Sequence, residues 1–109
     1  WMLGSNISSV GWPGCGEIDI MEMVGGVEGD NKTHGTVHWE FGGERVLSGG
    51  SYTLPEGILA DEYHVFSILW DESSIIWYLN DIEFYLIQDG MFSYQMRSIN
   101  LGRPFARAW

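Results

Sequence analysis

The sequence predicts an all-β fold whose antiparallel strands are spaced as in a sandwich. Three observations favour this class. Fifteen glycines among 109 residues imply many tight turns. Short runs rich in β-branched and aromatic residues alternate with turn residues along the chain. No segment keeps a helical period of apolar residues over more than two turns.

The first part of the chain contains two strands that we expect to pair as an antiparallel hairpin. Residues 1–3 are interpreted as the remnant of a strand, and a loop rich in Gly, Ser and Asn follows over residues 4–16. Residues 17–24 form the next strand because apolar and β-branched residues dominate there. After a Gly- and acid-rich turn at residues 25–31, residues 34–39 supply the partner strand.

The second part is predicted to be a loop followed by three strands. Residues 40–57 are interpreted as the loop, with a short strand at residues 52–54. The three strands are predicted at residues 63–70, 75–79 and 82–87. The last two flank Asn80-Asp81 and form a hairpin on a two-residue turn. Residues 91–97 fit either a loop or one helical turn.

Charge and cysteine content exclude several classes of function. Fifteen acidic residues against five basic ones give a net charge of -10, which argues against nucleic acid as a partner. A neutral polymer such as a glucan is compatible with this charge, and six Trp and five Tyr are available for a core or a sugar-binding cleft. Cys15 is the single cysteine, so we expect a small buried hydrophobe and no intrachain disulfide. No transmembrane segment is predicted.

Three carboxylates interrupt the apolar strand at residues 17–24. Alternation places Glu17 and Asp19 on one face, and it would place Glu22 on the other. A β-bulge, which inserts one extra residue, would return Glu22 to the face of the other two acids. The alternative is a strand edge whose acids are solvated and prevent aggregation.

Acids grouped in this way suit the cleavage of a glycosidic bond. One carboxylate acts as nucleophile and another as general acid/base, about 5 Å apart in a retaining enzyme. Several carboxylates this close do not all ionise easily, so their pKa values split. Asp19, between the others, could then hydrogen-bond the nucleophile and keep Glu22 protonated, and the group would titrate as a unit.

Two further side chains are candidates for binding a sugar. Trp12, held by the following proline, offers a flat face for a pyranose ring, although a loop Trp can also cap the core. His38 shares a face with His34 and Thr36, and it could hydrogen-bond an acid or a sugar hydroxyl, or be structural. A metal site is not expected, since no second His or Cys stands at metal spacing around His38. Core packing is the expected role of three other tryptophans: Trp39, Trp70 and Trp77.

The stretch Trp-Pro-Gly-Cys-Gly-Glu-Ile-Asp-Ile-Met-Glu-Met-Val-Gly at residues 12–25 resembles the catalytic stretch of glycoside hydrolase family 16, in its laminarinase-like branch. Residues 34–39 and 63–70 also resemble family segments, so the resemblance extends to about residue 87. It implies a β-jelly-roll sandwich, concanavalin-like, whose concave sheet forms an open glucan cleft. It further implies retaining endo-hydrolysis of β-1,3-glucosidic bonds in glucans of the laminarin type, with mixed-linkage glucan as a variant.

The resemblance also implies roles for particular residues. Glu17 matches the nucleophile, Asp19 the assisting acid and Glu22 the acid/base, while Trp12 matches an aromatic near the cleavage point and His38 a cleft residue. The family needs no cofactor for its chemistry, and many members carry a structural calcium away from the cleft. We therefore expect a secreted or periplasmic protein that is monomeric when complete, with a polysaccharide as its partner and neither nucleic acid nor membrane.

Family domains are about twice as long as this chain, in line with single β-sandwich domains of 200 residues or more. Residues 1–109 are therefore expected to form a partial catalytic domain, incomplete at both ends and inactive alone. Two alternatives stay open. One is a non-catalytic glucan-recognition protein on the same scaffold, although such relatives typically lack one or more of the acids. The other is a hydrolase of a different polysaccharide such as agar; the net charge disfavours sulfated polymers.

Overall fold

The computed structural model describes residues 1–26, 29–71 and 73–88, which form two antiparallel β-sheets. The first sheet has four strands in sequence order: β1 (Met2–Leu3), β2 (Glu17–Glu22), β3 (Lys32–Phe41) and β4 (Glu44–Thr53). The second has three: β5 (Phe66–Trp70), β6 (Ser74–Leu79) and β7 (Ile82–Gln88). One helical turn, α1 (Ile7–Val10), lies between β1 and β2. The all-β prediction is confirmed.

The core lies between the two sheets. Its buried side chains come from β2, β3, β6 and β7, and they are Ile18, Val37, Trp39, Ile75, Trp77 and Ile87. Trp70 is partly buried and packs against them, so the three tryptophans predicted for the core are all there. Cys15 is fully buried, as expected.

Two glycines let the sheets approach each other closely. A Cβ atom on Gly35 of β3 would lie 2.3 Å from Cδ1 of Trp77 in the other sheet. A Cβ atom on Gly50 of β4 would lie 2.5 Å from Cδ2 of Tyr85. Both distances are too short for any side chain, so the large aromatic rings of the second sheet fill the space above glycine in the first.

The loop predicted at residues 40–57 is wrong over most of its length, because β4 occupies Glu44–Thr53. The short strand predicted at residues 52–54 overlaps the end of β4. The strand pairs with β3 along its whole length, from Phe41 opposite Glu44 to Lys32 opposite Thr53. Gly42 and Gly43 form the connecting turn with φ of 64° and 84°, a left-handed conformation that glycine adopts without steric cost. The hairpin predicted at Asn80-Asp81 is confirmed, with positive φ at both turn residues and β6 paired with β7.

Other predicted boundaries shift by a few residues. The strand predicted at residues 17–24 ends at Glu22, and the one predicted at residues 63–70 begins at Phe66. The ambiguous stretch 91–97 lies outside the described residues. Within the described part of the chain, no helix has the length and hydropathy required to cross a membrane.

Candidate active site

The three acids of β2 lie on one face of the first sheet. Glu17 is opposite His38 of β3, Asp19 is opposite Thr36, and Glu22 is opposite His34. Residues directly opposite each other in an antiparallel pair point to the same side of the sheet. The β3 partners are two residues apart, so all three acids share one face with them. We call this the acid face, formed by Glu17, Asp19, Glu22, His34, Thr36 and His38.

A β-bulge makes this arrangement possible. The pairing of β2 with β3 shifts between Asp19 and Glu22, where Ile20 and Met21 together oppose Gly35. Ile18, opposite Val37, and Ile20 still pack against the core. The extra residue then rotates Glu22 back to the side of Asp19. The bulge predicted from the sequence is confirmed.

The buried aromatic Trp77 fixes the backbone at the bulge. Its indole N–H donates a hydrogen bond of 2.9 Å to the backbone carbonyl of Asp19. The close approach of its ring to Gly35 places the indole directly behind the acid face. Trp77 was predicted as a core residue only; nothing in the sequence pairs it with Asp19, from which it is separated by 58 positions.

Asp19 is the buried member of the acid group, with 1% of its surface exposed. Burial, followed by a hydrogen bond with Glu17 and the negative charge of Glu22, together raise the pKa of this carboxyl group from 3.8 to about 7. Asp19 therefore carries a proton over much of the range in which ordinary carboxyl groups are ionised. Nε2 of His38 lies 3.1 Å from Oδ2 of Asp19.

Trp12 reaches the acids from the loop before β2. Its indole N–H donates a hydrogen bond of 2.5 Å to Oε2 of Glu17. The side chain remains 45% exposed, and its ring centroid lies 5.9 Å from that of His38. The guanidinium carbon of Arg45, on β4, lies over the Trp12 ring at 5.5 Å from its centroid. The structure thus brings both predicted sugar-binding side chains, Trp12 and His38, next to Glu17.

Glu17, Asp19 and His38 also form a group that could hold a metal ion, with ligand atoms within 4.8 Å of one another. Spacing around His38 did not reveal this group, since its carboxylates come from the neighbouring strand. One imidazole and two carboxylates suit a metal such as zinc, whereas calcium takes six to eight oxygen ligands. The structural calcium implied by the resemblance does not fit here. That the chemistry uses no metal stays a prediction.

Two contributors to the site were missed from the sequence. Arg45 lies in the stretch interpreted as a loop, and its contact with Trp12 follows from the pairing of β4 with β3. The contact of Trp77 follows from the packing of one sheet on the other. For Arg45, the sequence contained one indication: Gly42-Gly43 is typical of a two-residue hairpin turn, and such a turn places Arg45 opposite Glu40.

The arrangement can perform acid–base and nucleophilic chemistry on a polymer laid across the sheet. Glu17 is partly exposed, Glu22 is exposed, and the buried Asp19 lies between them in sequence. Trp12 presents an exposed aromatic surface beside Glu17. Hydrolysis of a glycosidic bond requires two carboxyl groups, one as nucleophile or base and one as acid, and the acid face supplies this pair.

Comparison with known proteins gives a consistent result. The chain matches the family profile of Glycosyl hydrolases family 16 over residues 2–98. It is 37% identical over 109 residues to glucan endo-1,3-beta-glucosidase A1 of Niallia circulans, covering 96% of this chain and 15% of that protein. It is also 30% identical over 94 residues to the beta-1,3-glucan-binding protein of Penaeus monodon, covering 75% of this chain and 24% of that protein.

Solved structures share the fold. The catalytic domain of an endo-1,3-beta-glucanase (laminarinase) from Thermotoga petrophila RKU-1 superposes with a TM-score of 0.72 at 42% identity. The match covers 84% of this chain and 36% of that one. The chain therefore spans about a third of that domain and a smaller share of the curated relatives above. The two antiparallel sheets correspond to part of the jelly-roll sandwich of these glucanases.

Proposed function

The chain belongs to glycosyl hydrolase family 16, and on that premise we propose that the whole protein is a retaining endo-β-1,3-glucanase. Its substrates would be β-glucans of the laminarin type, together with mixed-linkage glucan. One observation carries the proposal: a bulge in β2 returns Glu22 to the face that holds Glu17 and the buried Asp19. A recognition protein has no need for three acids held together at the cost of burying one of them.

Glu17 and Glu22 divide the reaction between them in two displacements. In the first, a Glu17 oxygen attacks the anomeric carbon while the Glu22 carboxyl group gives its proton to the departing glycosidic oxygen. The product is a glycosyl ester on Glu17. In the second, Glu22 takes a proton from water, the water oxygen bonds to the anomeric carbon, and the ester bond to Glu17 breaks. The configuration at the anomeric carbon is retained.

Asp19 assists by staying uncharged. Its raised pKa lets it share a hydrogen bond with Glu17 without adding another negative charge beside the nucleophile. As the ester forms, Glu17 loses its charge, and the hydrogen bond can then stabilise the displaced oxygen when the ester breaks. His38 lies beside this carboxyl group, with its Nε2 3.1 Å from Oδ2 of Asp19.

Trp12 supports the sugar next to the broken bond. Its N–H is committed to Glu17, so the ring plane is fixed relative to the nucleophile. A pyranose ring stacked on the exposed indole would thus place its anomeric carbon at a set distance from Glu17. We assign His38 to the same region, where it contacts Asp19 and lies beside Trp12.

The partner of the site is a polysaccharide, and the chemistry uses side chains and water without a cofactor. A structural calcium, proposed for the whole protein, would lie away from the acid face, because calcium prefers oxygen ligands and His38 offers nitrogen. We propose that the whole protein is a monomer. We also propose that it acts outside the cytoplasm, secreted or periplasmic, because an intact glucan polymer is too large to enter the cell. Activity that cofractionates with cytoplasmic markers would contradict this location.

Digestion of a panel of polymers tests the proposed function. The full-length protein should release oligosaccharides from laminarin and lichenan and none from agarose. Glu17→Ser should abolish release and still bind laminarin, whereas Glu44→Gln, a matched change at an exposed acid of the β3–β4 hairpin, should leave turnover unchanged. Undiminished turnover by Glu17→Ser would refute the role of Glu17, and cleavage of agarose alone would refute the substrate class.

A further inference from the structure

Trp12 is a loop residue that is nevertheless held from several directions. Glu17 accepts its N–H at 2.5 Å, and His38 lies against it at 5.9 Å between ring centroids. Arg45 lies over the ring at 5.5 Å from the centroid. A cation at this distance is attracted to the negative face of the indole. One of the two faces of the ring is therefore covered by the guanidinium group.

The β3–β4 hairpin explains why Arg45 is there. Arg45 is directly opposite Glu40, which lies two residues beyond His38 and so shares its face. The loop of Trp12 packs against the same end of the hairpin: a Cβ atom on Gly14 would lie 3.6 Å from Oε2 of Glu40. The guanidinium group therefore extends from the hairpin over the indole, with the Glu40 carboxylate on the adjacent strand.

We infer that Arg45 is a positioning residue that holds the Trp12 indole by its covered face. The contact of Arg45 with one face of the indole keeps the Trp12 N–H directed at Glu17. The opposite face of the ring is then left for the sugar. Arg45 thereby decides on which side of Trp12 the glucan stacks. This inference rests on the proposed glucan hydrolysis, which supplies the sugar.

The rival explanation is a surface ion pair. Arg45 and Glu40 are both exposed, and an exposed pair of opposite charges contributes little to stability. If Arg45 only paired with Glu40, its replacement would leave the kinetics of hydrolysis unchanged. The two explanations predict different results for two substitutions of Arg45. Lysine keeps a cation above the indole, whereas methionine keeps much of the length without the charge.

Kinetics of three variants of the full-length protein test the inference on short laminari-oligosaccharides. Arg45→Met should raise KM by about two- to fivefold, the factor expected from losing one exposed cation–π contact. Arg45→Lys should restore most of the lost affinity, and Glu44→Gln, the neighbouring charge change, should leave KM unchanged. An unchanged or lower KM in Arg45→Met, with an unaltered unfolding midpoint, would overturn the inference.

A second measurement is independent of hydrolysis. The indole N–H signal of Trp12 in a ¹⁵N–¹H spectrum, assigned by its loss in Trp12→Phe, should move or broaden in Arg45→Met and stay in place in Glu44→Gln. A signal unaffected by Arg45→Met would overturn the positioning role. A wild-type protein that cleaves no β-glucan would refute the proposed function instead, and this spectrum would still decide whether Arg45 holds Trp12.

Discussion

At the scale of single residues, the acid face depends on unequal environments for similar groups. Glu22 is exposed, Glu17 is partly exposed and Asp19 is buried. Burial and two neighbouring carboxylates raise the pKa of Asp19 to about 7. One carboxyl group of the three is thus kept protonated near neutral pH, which lessens the repulsion that would otherwise separate them.

The raised pKa of Asp19 makes stability depend on pH. The pKa of Asp19 in the folded protein, about 7, exceeds the reference value of 3.8, so the folded state binds a proton more tightly than the unfolded state. The resulting contribution to the free energy of unfolding is fully present below about pH 4 and is lost as pH rises through 7. Asp19→Asn cannot ionise and should lose this dependence. Urea unfolding at pH 5 and pH 8 should therefore show a smaller fall in unfolding free energy for Asp19→Asn than for the wild type. The difference should be on the order of a few kcal/mol. Equal falls in both proteins would contradict the burial of an uncharged Asp19.

Trp12 has two functions that substitution can separate. Trp12→Phe keeps an aromatic face and loses the N–H that Glu17 accepts. Because a hydrogen bond to a charged group contributes about 1.5–3 kcal/mol, kcat should fall about tenfold, while KM changes little. Trp12→Ala also removes the face and should raise KM. Equal kinetic constants for Trp12→Phe and wild type would show that the hydrogen bond has no role.

At the scale of elements, strands in which apolar and polar residues alternate were predicted from the sequence. The strand whose inward positions lack large apolar residues was not predicted over most of its length. Strand β2 was predicted together with its bulge, because strict alternation would have buried Glu22. Only the end of strand β4 was predicted, because its inward positions include Ser48 and Gly50, which carry no apolar signal. Gly50 is required by the ring of Tyr85 in the other sheet, and no local pattern in β4 reveals that contact.

Gly35 links the bulge of β2 to the core. Gly35→Ala would place a Cβ atom 2.3 Å from Trp77, the residue whose N–H binds the Asp19 carbonyl. Unfolding free energy in urea should fall by about 3 kcal/mol, and turnover should fall with it. Gly25→Ala is the matched control, because its nearest contact would be an ordinary 3.5 Å. A stable, fully active Gly35→Ala protein would show that the sheets are not packed as described.

At the scale of the whole molecule, the two faces of the first sheet have separate tasks. The inner face supplies Ile18, Val37 and Trp39 to the core, and the outer face carries the acids. This division was predictable from alternation within each strand together with the bulge that returns Glu22 to the outer face. The contact between Arg45 and Trp12 was not, because it joins a loop to a hairpin through the register of two strands.

Residues 1–109, which carry the acid face, have a net charge of -10, and this charge near the site predicts how salt acts on different polymers. Because laminarin is uncharged, kcat/KM on it should change less than about twofold between about 20 mM and about 500 mM NaCl. Carboxymethylated laminarin should be cleaved slowly at low salt and faster at high salt, since screening weakens its repulsion from the protein. A steep fall of laminarin hydrolysis with salt would contradict a neutral substrate.

The anomeric configuration of the first product tests the central claim most directly. If Glu17 forms a glycosyl ester that Glu22 helps water to cleave, the bond is broken with net retention. Proton NMR during the first minutes of laminarin hydrolysis by the full-length protein should then show the β-anomer of the new reducing end before mutarotation produces the α-anomer. Initial appearance of the α-anomer would mean inversion, and it would contradict the assignment of Glu17 as nucleophile.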